Sequence, residues 1–277
     1  MIIKKAPSED LFGRFREVIS DPINVLIERV PQAGQVENGI VTLHNGNQVP
    51  LIGAGAYYGP YSGLLVINRG VTEPLEEYIF QEVLKQLPEA PRMMELGAYW
   101  AHYSMWLKRA RPDGHCIMLE PEEAYLEAGK ANFARNGFSG DFVQGFIGPD
   151  GFSIDDYMAE KGLDRLDILH VDIQGLEPYI FTSAAKLIEG HKIDYLFVAT
   201  HGDDTHTNVL KALEVAGYRI EAESDFELHT TSTDGLVFAT APHIDPLLDG
   251  FQFKGRQELA VAMPDELVAM LNSNVSR

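Results

Sequence analysis

The chain has 277 residues, 45% of them hydrophobic, and carries 22 basic against 41 acidic side chains, a formal charge of −19. That length suits one large domain, or one domain with a small appendage, and the apolar content is too high for a disordered chain. The charge disfavours nucleic acid, which is bound by Lys and Arg that displace counterions, and no apolar run reaches the roughly 18 residues of a membrane span.

The first ten residues show no apolar h-region after Lys4-Lys5, so no signal peptide is expected. Ser8 is placed to cap a short helix with Leu11, Phe12, Phe15, Val18 and Ile19 on one face. Asp21-Pro22 predicts the start of a second helix through Val30. The runs 40–44 and 48–52 flank Asn45-Gly46-Asn47, a strong hairpin signal. Gly53 to Gly63, rich in glycine and tyrosine, reads as an irregular loop. From Thr72 onward Glu73, Pro74, Glu76 and Glu77 open a helix with acids in its first turn, its apolar face formed by Leu75, Ile79, Val83, Leu84 and Leu87.

Beyond residue 92 strands and helices alternate. Strands are predicted at 92–97, 115–120, 141–147, 166–173, 194–200, 218–224 and 235–241, and helices at 101–110, 123–136, 175–189 and 205–216. The alternation implies a mostly parallel sheet covered by helices on both faces. No helix separates the last two strands, which are therefore expected to pair antiparallel. The tail holds one helix after Pro264. The single cysteine, Cys116, falls in a predicted buried strand, permits no internal disulfide and suits a reducing cytoplasm.

The segment 93–104 carries the first chemical signal. An apolar strand ends in Glu95, turns at Gly97 and enters an amphipathic helix, as at nucleotide-cofactor sites of doubly wound sheets. Glu120 closes the next strand, where such folds hold a ribose diol, about 20 residues past the glycine. A pyrophosphate would need further glycines and a helix N-terminus without negative charge. Tyr99 and Trp100 crowd this turn and Glu95 would repel an anion, so S-adenosylmethionine, which has a positive sulfonium and no phosphate, suits it better.

Ligands of open parallel sheets bind at the carboxyl ends of the strands. There stand Gln144, Gly145 and Phe146; His170, Asp172 and Gln174; and Thr200, His201 and Gly202. His170, Asp172 and Gln174 alternate, which puts three polar side chains on one face of a strand that would normally be aliphatic. His201 is the best general-base candidate, since an unperturbed imidazole pKa of about 6.5 makes the neutral form available at cellular pH, with Asp172 or His170 assisting. The same carboxylate and imidazole groups are equally legitimate ligands for a divalent metal. His206 is a weaker candidate for contact.

With these residues assembled, the chain resembles the FkbM family of S-adenosylmethionine-dependent methyltransferases from about residue 70 to 241. The likeness rests on Glu95-Leu-Gly97…Ser104, Leu119-Glu120-Pro121, Asn132…Asn136-Gly137, Ser153-Ile-Asp155-Asp156-Tyr157 and, most strongly, Asp167-Ile-Leu-His170-Val-Asp172-Ile-Gln174-Gly175-Leu-Glu177. Ala101 stands where the family usually has glycine, and Gln174 where it usually has glutamate. The resemblance implies a class I methyltransferase fold (Rossmann-like α/β, the last strand antiparallel) and O-methylation of a small-molecule hydroxyl, commonly on a sugar or natural product. It further implies Glu95, Gly97 and Ser104 around the methionine portion, Glu120 on the ribose, and Gly145 with Phe146 beside the adenine. The expected organisation is an N-terminal helical and hairpin extension over 1–70 that caps the substrate, a cofactor-binding domain over 71–242 and a tail over 243–277. An NAD-type oxidoreductase and a non-catalytic cofactor binder are the rival readings; oligomeric state is left open.

Overall fold

The computed structural model describes residues 10–226 and 229–277. Asp10 caps the first helix, α1 (Leu11–Ser20), its carboxylate accepting the Gly13 N–H at 2.7 Å. Ser8, the expected cap, lies outside the described residues. The buried face of α1 is rotated from the one that apolar spacing predicts. Phe15 and Val18 are inside, but Phe12 is 66% exposed, and the helix instead buries Arg14 and Glu17 as an ion pair at 2.9 Å. Arg14 also donates to the Ser232 carbonyl, and Arg256 lies 3.6 Å from Glu17. Partners far away in sequence choose the face.

The helix expected from Asp21 to Val30 is only a single 3-10 turn, Pro22–Val25. The Arg29 guanidinium donates to the carbonyls of Asn24 and Ile27 at 2.6 and 2.9 Å. A side chain thereby takes acceptors that a continuing helix would have used. The hairpin forms as predicted. β2 (Ile40–Thr42) pairs antiparallel with β3 (Gln48–Pro50), and β1 (Val36–Glu37) adds a third strand. The tight turn between them needs Gly46 at φ +87°. α2 (Gly63–Ile67) closes the tyrosine-rich loop, and α3 (Pro74–Gln86) begins at the acidic signal.

Every predicted strand of the main sheet is present: β4 (Arg92–Leu96), β5 (His115–Glu120), β6 (Asp141–Gln144), β7 (Leu166–Val171), β8 (Ile193–Thr200), β9 (Arg219–Ser224) and β10 (Gly235–Thr240). Their order is β6-β5-β4-β7-β8-β10-β9, parallel except for β10, which runs antiparallel to both neighbours. α4 (His102–Ala110), α5 (Glu123–Arg135), α6 (Ile154–Glu160) and α9 (Asp203–Val215) provide connections. α6 was not predicted; Ser153 caps it by accepting the Asp156 N–H. The stretch 175–189, expected as one helix, is a 3-10 turn followed by α7 (Ile180–Ser183) and α8 (Ala185–Glu189). The Asp155 carboxylate accepts the N–H groups of Lys186 and Leu187 at 2.8 and 3.2 Å, which starts a new helix there. α10 (Arg256–Leu259) and α11 (Pro264–Val275) complete the tail.

The sheet separates two apolar cores. One joins Val18, Val41 and Leu64 of the N-terminal region to Met93, Met105 and Phe197, and the other packs α6 to α9 on the opposite face. Phe15, Val41 and Leu64 of the N-terminal region thus pack into the same core as the sheet. Among the described residues no helix is long and apolar enough to cross a membrane.

Candidate active site

The turn after β4 sets the geometry. Gly97 has φ +73°, and a Cβ there would lie 1.8 Å from the Asp172 carbonyl oxygen. The Gly97 and Ala98 N–H groups both donate to Leu119 O, at 2.9 and 3.0 Å, while Asp172 N–H donates to Leu96 O. Three strand ends are thus tied together at one point. Tyr99 and Ala101 also have positive φ, +41° and +61°. That conformation explains why glycine is natural where this chain has Ala101.

Ala101→Gly removes about 1–2 kcal/mol of left-handed strain. It also loses a buried methyl and gains unfolded-chain entropy, about 1–2 kcal/mol in the other direction. Thermal unfolding is expected to place it within about 1 kcal/mol of wild type. Ala101→Val, whose β-branch aggravates the strain, is expected to lose more than about 3 kcal/mol.

Carboxylates accept further N–H groups at and around this turn. Tyr99 N–H donates to Glu120 Oε2 and Glu122 N–H to Glu120 Oε1, both at 3.0 Å. Ser104 N–H, one turn into α4, donates to Glu95 Oε2 at 3.0 Å. The start of α4 therefore holds the protein's own anion, where a dinucleotide fold would place pyrophosphate.

Above the turn opens a cleft of about 450 Å³, within the range of small-molecule sites. Gly97, Glu120, Gly145 and Phe146 line it, as expected from sequence, together with Tyr58 and Tyr99. Tyr58 from the tyrosine-rich loop stacks on Tyr99 at 4.9 Å, and Tyr99 donates its hydroxyl to Ala56 O at 2.7 Å. Glu95 and Ser104 do not line the cleft. Glu95 borders a small hollow beside it, and Ser104 is fully buried beneath α4. The hairpin packs away from the opening, with Gln48 N–H donating to Asn136 Oδ1 of the segment after α5.

A charged cluster stands at the far wall. His201 Nε2 lies 3.3 Å from Asp172 Oδ1 and 3.2 Å from Asp234 Oδ1, and its Nδ1 lies 2.7 Å from Glu177 Oε1. Gln174, at φ +56°, puts its amide 2.9 Å from Nε2. Burial alone would lower the His201 pKa, but the bonds to Asp234 and Glu177 outweigh it and push it up to about 11. His201 is therefore an imidazolium at neutral pH, not the neutral base that its ordinary pKa suggested. Burial, then the charge of Asp234, pushes Asp172 up to about 7 despite His201.

His170 does not join this cluster. It is buried, its Nε2 2.7 Å from Glu76 Oε1 and its ring 4.1 Å from that of Tyr103. His206 bridges Thr200 and Glu223, at 2.9 Å each, outside the cleft. Sequence spacing does not point to Asp234 or Glu177 as site residues, although Glu177 closes the motif that begins at Asp167. Asp234 had a usable signal: an antiparallel strand brings its N-terminal end to the sheet edge where parallel strands end. Gly235 is accordingly registered opposite Thr200.

Asp234 also lines a second cavity of about 420 Å³, with Arg14, Tyr61, Phe226 and Thr233. Tyr58 and Gln174 line both cavities and stand at their junction. Asp172, His201 and Asp234 offer donor atoms within 4.8 Å of one another, a set that a divalent ion could use only if His201 gave up its proton.

Residues 122–220 match the family described as Methyltransferase FkbM domain. The match runs from the start of α5 into β9, so the Gly97 turn and Asp234 lie outside it. Among curated proteins none matches the chain. Solved structures similar to it include an O-methyltransferase from Bacillus cereus in complex with SAH, at 17% identity over 62% of this chain and 82% of that one (TM-score 0.45). Another is a precorrin-6y C5,15-methyltransferase from Geobacter metallireducens GS-15, 16% identical over 59% of this chain and 87% of that one (TM-score 0.43). A third is TrmK of M. capricolum with S-adenosyl-homocysteine, 12% identical over 72% of this chain and 83% of that one (TM-score 0.43).

Proposed function

We propose that the protein is a methyltransferase that uses S-adenosylmethionine to methylate a hydroxyl of a small molecule, with a sugar or natural product as the acceptor class. The observation that carries this reading is the junction of two cavities at Tyr58 and Gln174, beside a cluster of carboxylates around an imidazolium. The first cavity suits the cofactor: its size, the Glu120 carboxylate on its wall and the absence of a phosphate cradle agree with a cationic, phosphate-free nucleoside. When bound there, S-adenosylmethionine supplies an electrophilic methyl group. The second cavity takes the acceptor.

The residues' own work is positioning and proton transfer. Glu120 is already fixed by two backbone N–H groups and turns its remaining lone pairs to the ribose hydroxyls. Asp172 takes the proton of the acceptor hydroxyl. His201, held by Glu177 on one side, keeps Asp172 and Asp234 in place and offsets their charge. The net charge of −19 disfavours an RNA acceptor.

Calorimetry with S-adenosylmethionine is expected to give one binding event. Glu120→Ala removes charge-assisted hydrogen bonds of about 1.5–3 kcal/mol and is expected to weaken binding roughly ten- to hundredfold. Mass spectrometry of a panel of sugar and natural-product hydroxyls is expected to find a product heavier by one methylene. Tight binding of NAD with no response to S-adenosylmethionine would overturn the proposal. Cofactor binding without transfer to any hydroxyl would leave a non-catalytic binder.

A further inference from the structure

Away from the cleft, three side chains from three segments meet in the core between the hairpin and the sheet. His44 follows β2, Glu77 lies in the first turn of α3 and His102 begins α4, and all three are at most 3% exposed. Neither nitrogen of His102 has a hydrogen-bond partner, nor does His44 Nε2, and Glu77 Oε2 has only the His44 Nδ1 edge, 3.2 Å away. Leaving polar atoms unpaired in a core is costly and calls for a ligand.

The rest of the cluster is arranged as ligand support. Glu77 Oε1 accepts from Thr72 N–H, Thr72 Oγ1 and Glu73 N–H, at 2.6, 3.1 and 2.9 Å, which orients Oε2 toward the histidines. His44 Nδ1 is 2.9 Å from Gly70 O and 3.2 Å from Glu77 Oε2, two oxygens that favour the proton on Nδ1 and leave Nε2 as a lone pair. A backbone carbonyl on the far nitrogen is the usual support of a metal-bound imidazole. His102 is held flat against Trp100, with ring centroids 4.8 Å apart and planes 7° apart. Burial keeps both imidazoles uncharged, His44 down at about 4.

We infer that His44, Glu77 and His102 form a structural zinc site that fastens the N-terminal hairpin to α3 and α4. One donor atom of each lies within 4.8 Å of the other two. Two imidazoles and a carboxylate are suitable donors for Zn²⁺, and ligands at about 2.0–2.2 Å from a tetrahedral ion sit roughly 3.4 Å apart, so the side chains draw inward on binding. A water completes the fourth position. The proposal is independent of the reading of the cleft.

The test uses the full chain, purified without chelator from zinc-supplemented medium. Elemental analysis is expected to find one zinc per chain, lost in His102→Phe, which keeps the stack on Trp100, and in Glu77→Gln. Asp234→Asn, which alters the other cluster of possible donors, is expected to keep its zinc. Removing zinc with a strong chelator is expected to lower Tm by about 5–8 °C, reversed by adding Zn²⁺ to a hundredfold over its Kd. The two tryptophans, Trp100 against His102 and Trp106 with its ring 4.4 Å from His44, report binding directly. Co²⁺ added to the zinc-free protein is expected to quench their fluorescence in wild type but not in His102→Phe or Glu77→Gln. Should His102→Phe fail to fold, Glu77→Gln decides alone. A zinc-free wild type whose Tm ignores Zn²⁺, or zinc that stays in Glu77→Gln and leaves in Asp234→Asn, would overturn the site.

Discussion

Asp172→Asn is expected to lower kcat/KM for methyl transfer by roughly 10²–10⁴, the usual worth of a positioned general base. In the wild type kcat/KM should rise with pH through about 7, because Asp172 accepts a proton only once it has lost its own and burial has raised it to that value. The Asn variant should lose this limb. His201→Gln separates the two candidate bases. With His201 acting only as a fixed cation, its removal leaves Asp172 beside Asp234 without compensation. The limb then persists but moves to higher pH, at a lower plateau rate. Were His201 itself the base, the Gln variant would abolish the limb and Asp172→Asn would only displace it. The measurement is a pH profile of initial rates on the acceptor that gives turnover, with unfolding curves to confirm that each variant is folded.

Gly97→Ala is expected to destabilise the fold by more than about 4 kcal/mol, or to prevent its recovery in soluble form. Two effects add. The added methyl group meets a backbone oxygen 1.8 Å away, on the partner strand of a central parallel pair, and φ of +73° is unfavourable for any side chain. Neither strand can retreat, since Asp172 N–H donates to Leu96 O while Gly97 N–H donates to Leu119 O. Gly53→Ala is the matched control. Its φ is +96°, yet no atom lies within 4 Å of a Cβ, so only the conformational penalty of about 1–2 kcal/mol is expected. Urea unfolding of the two variants compares them. Equal losses would show that the approach of Gly97 to Asp172 is not a rigid constraint.

Glu95 shows how a correct residue can carry a different role. As the last polar side chain of β4 it was expected at the ligand, yet its carboxylate is 3% exposed and accepts the Ser104 N–H. Burial raises its pKa, against His170 and Ser104, which lower it. Its bond to Ser104 N–H ties β4 to the start of α4.

Local pattern determined most of the architecture. Strand and helix alternation, the Asn-Gly hairpin and the missing helix before β10 are all short-range signals, and each corresponds to an observed element. The positions of Gly97 and Glu120 also followed from sequence, because a strand end in an open parallel sheet faces the ligand by topology alone. What sequence spacing left undecided depends on groups that meet across many residues. Which face of α1 is buried rests on Ser232 and Arg256, and the break in 175–189 rests on Asp155. The charge of His201 is the clearest case. An imidazole isolated in sequence has an ordinary pKa, and only the fold brings Glu177 from the turn after β7 and Asp234 from the head of β10 against its two nitrogens. The meeting of His44, Glu77 and His102 is likewise tertiary, since no periodicity links a hairpin to two separate helices.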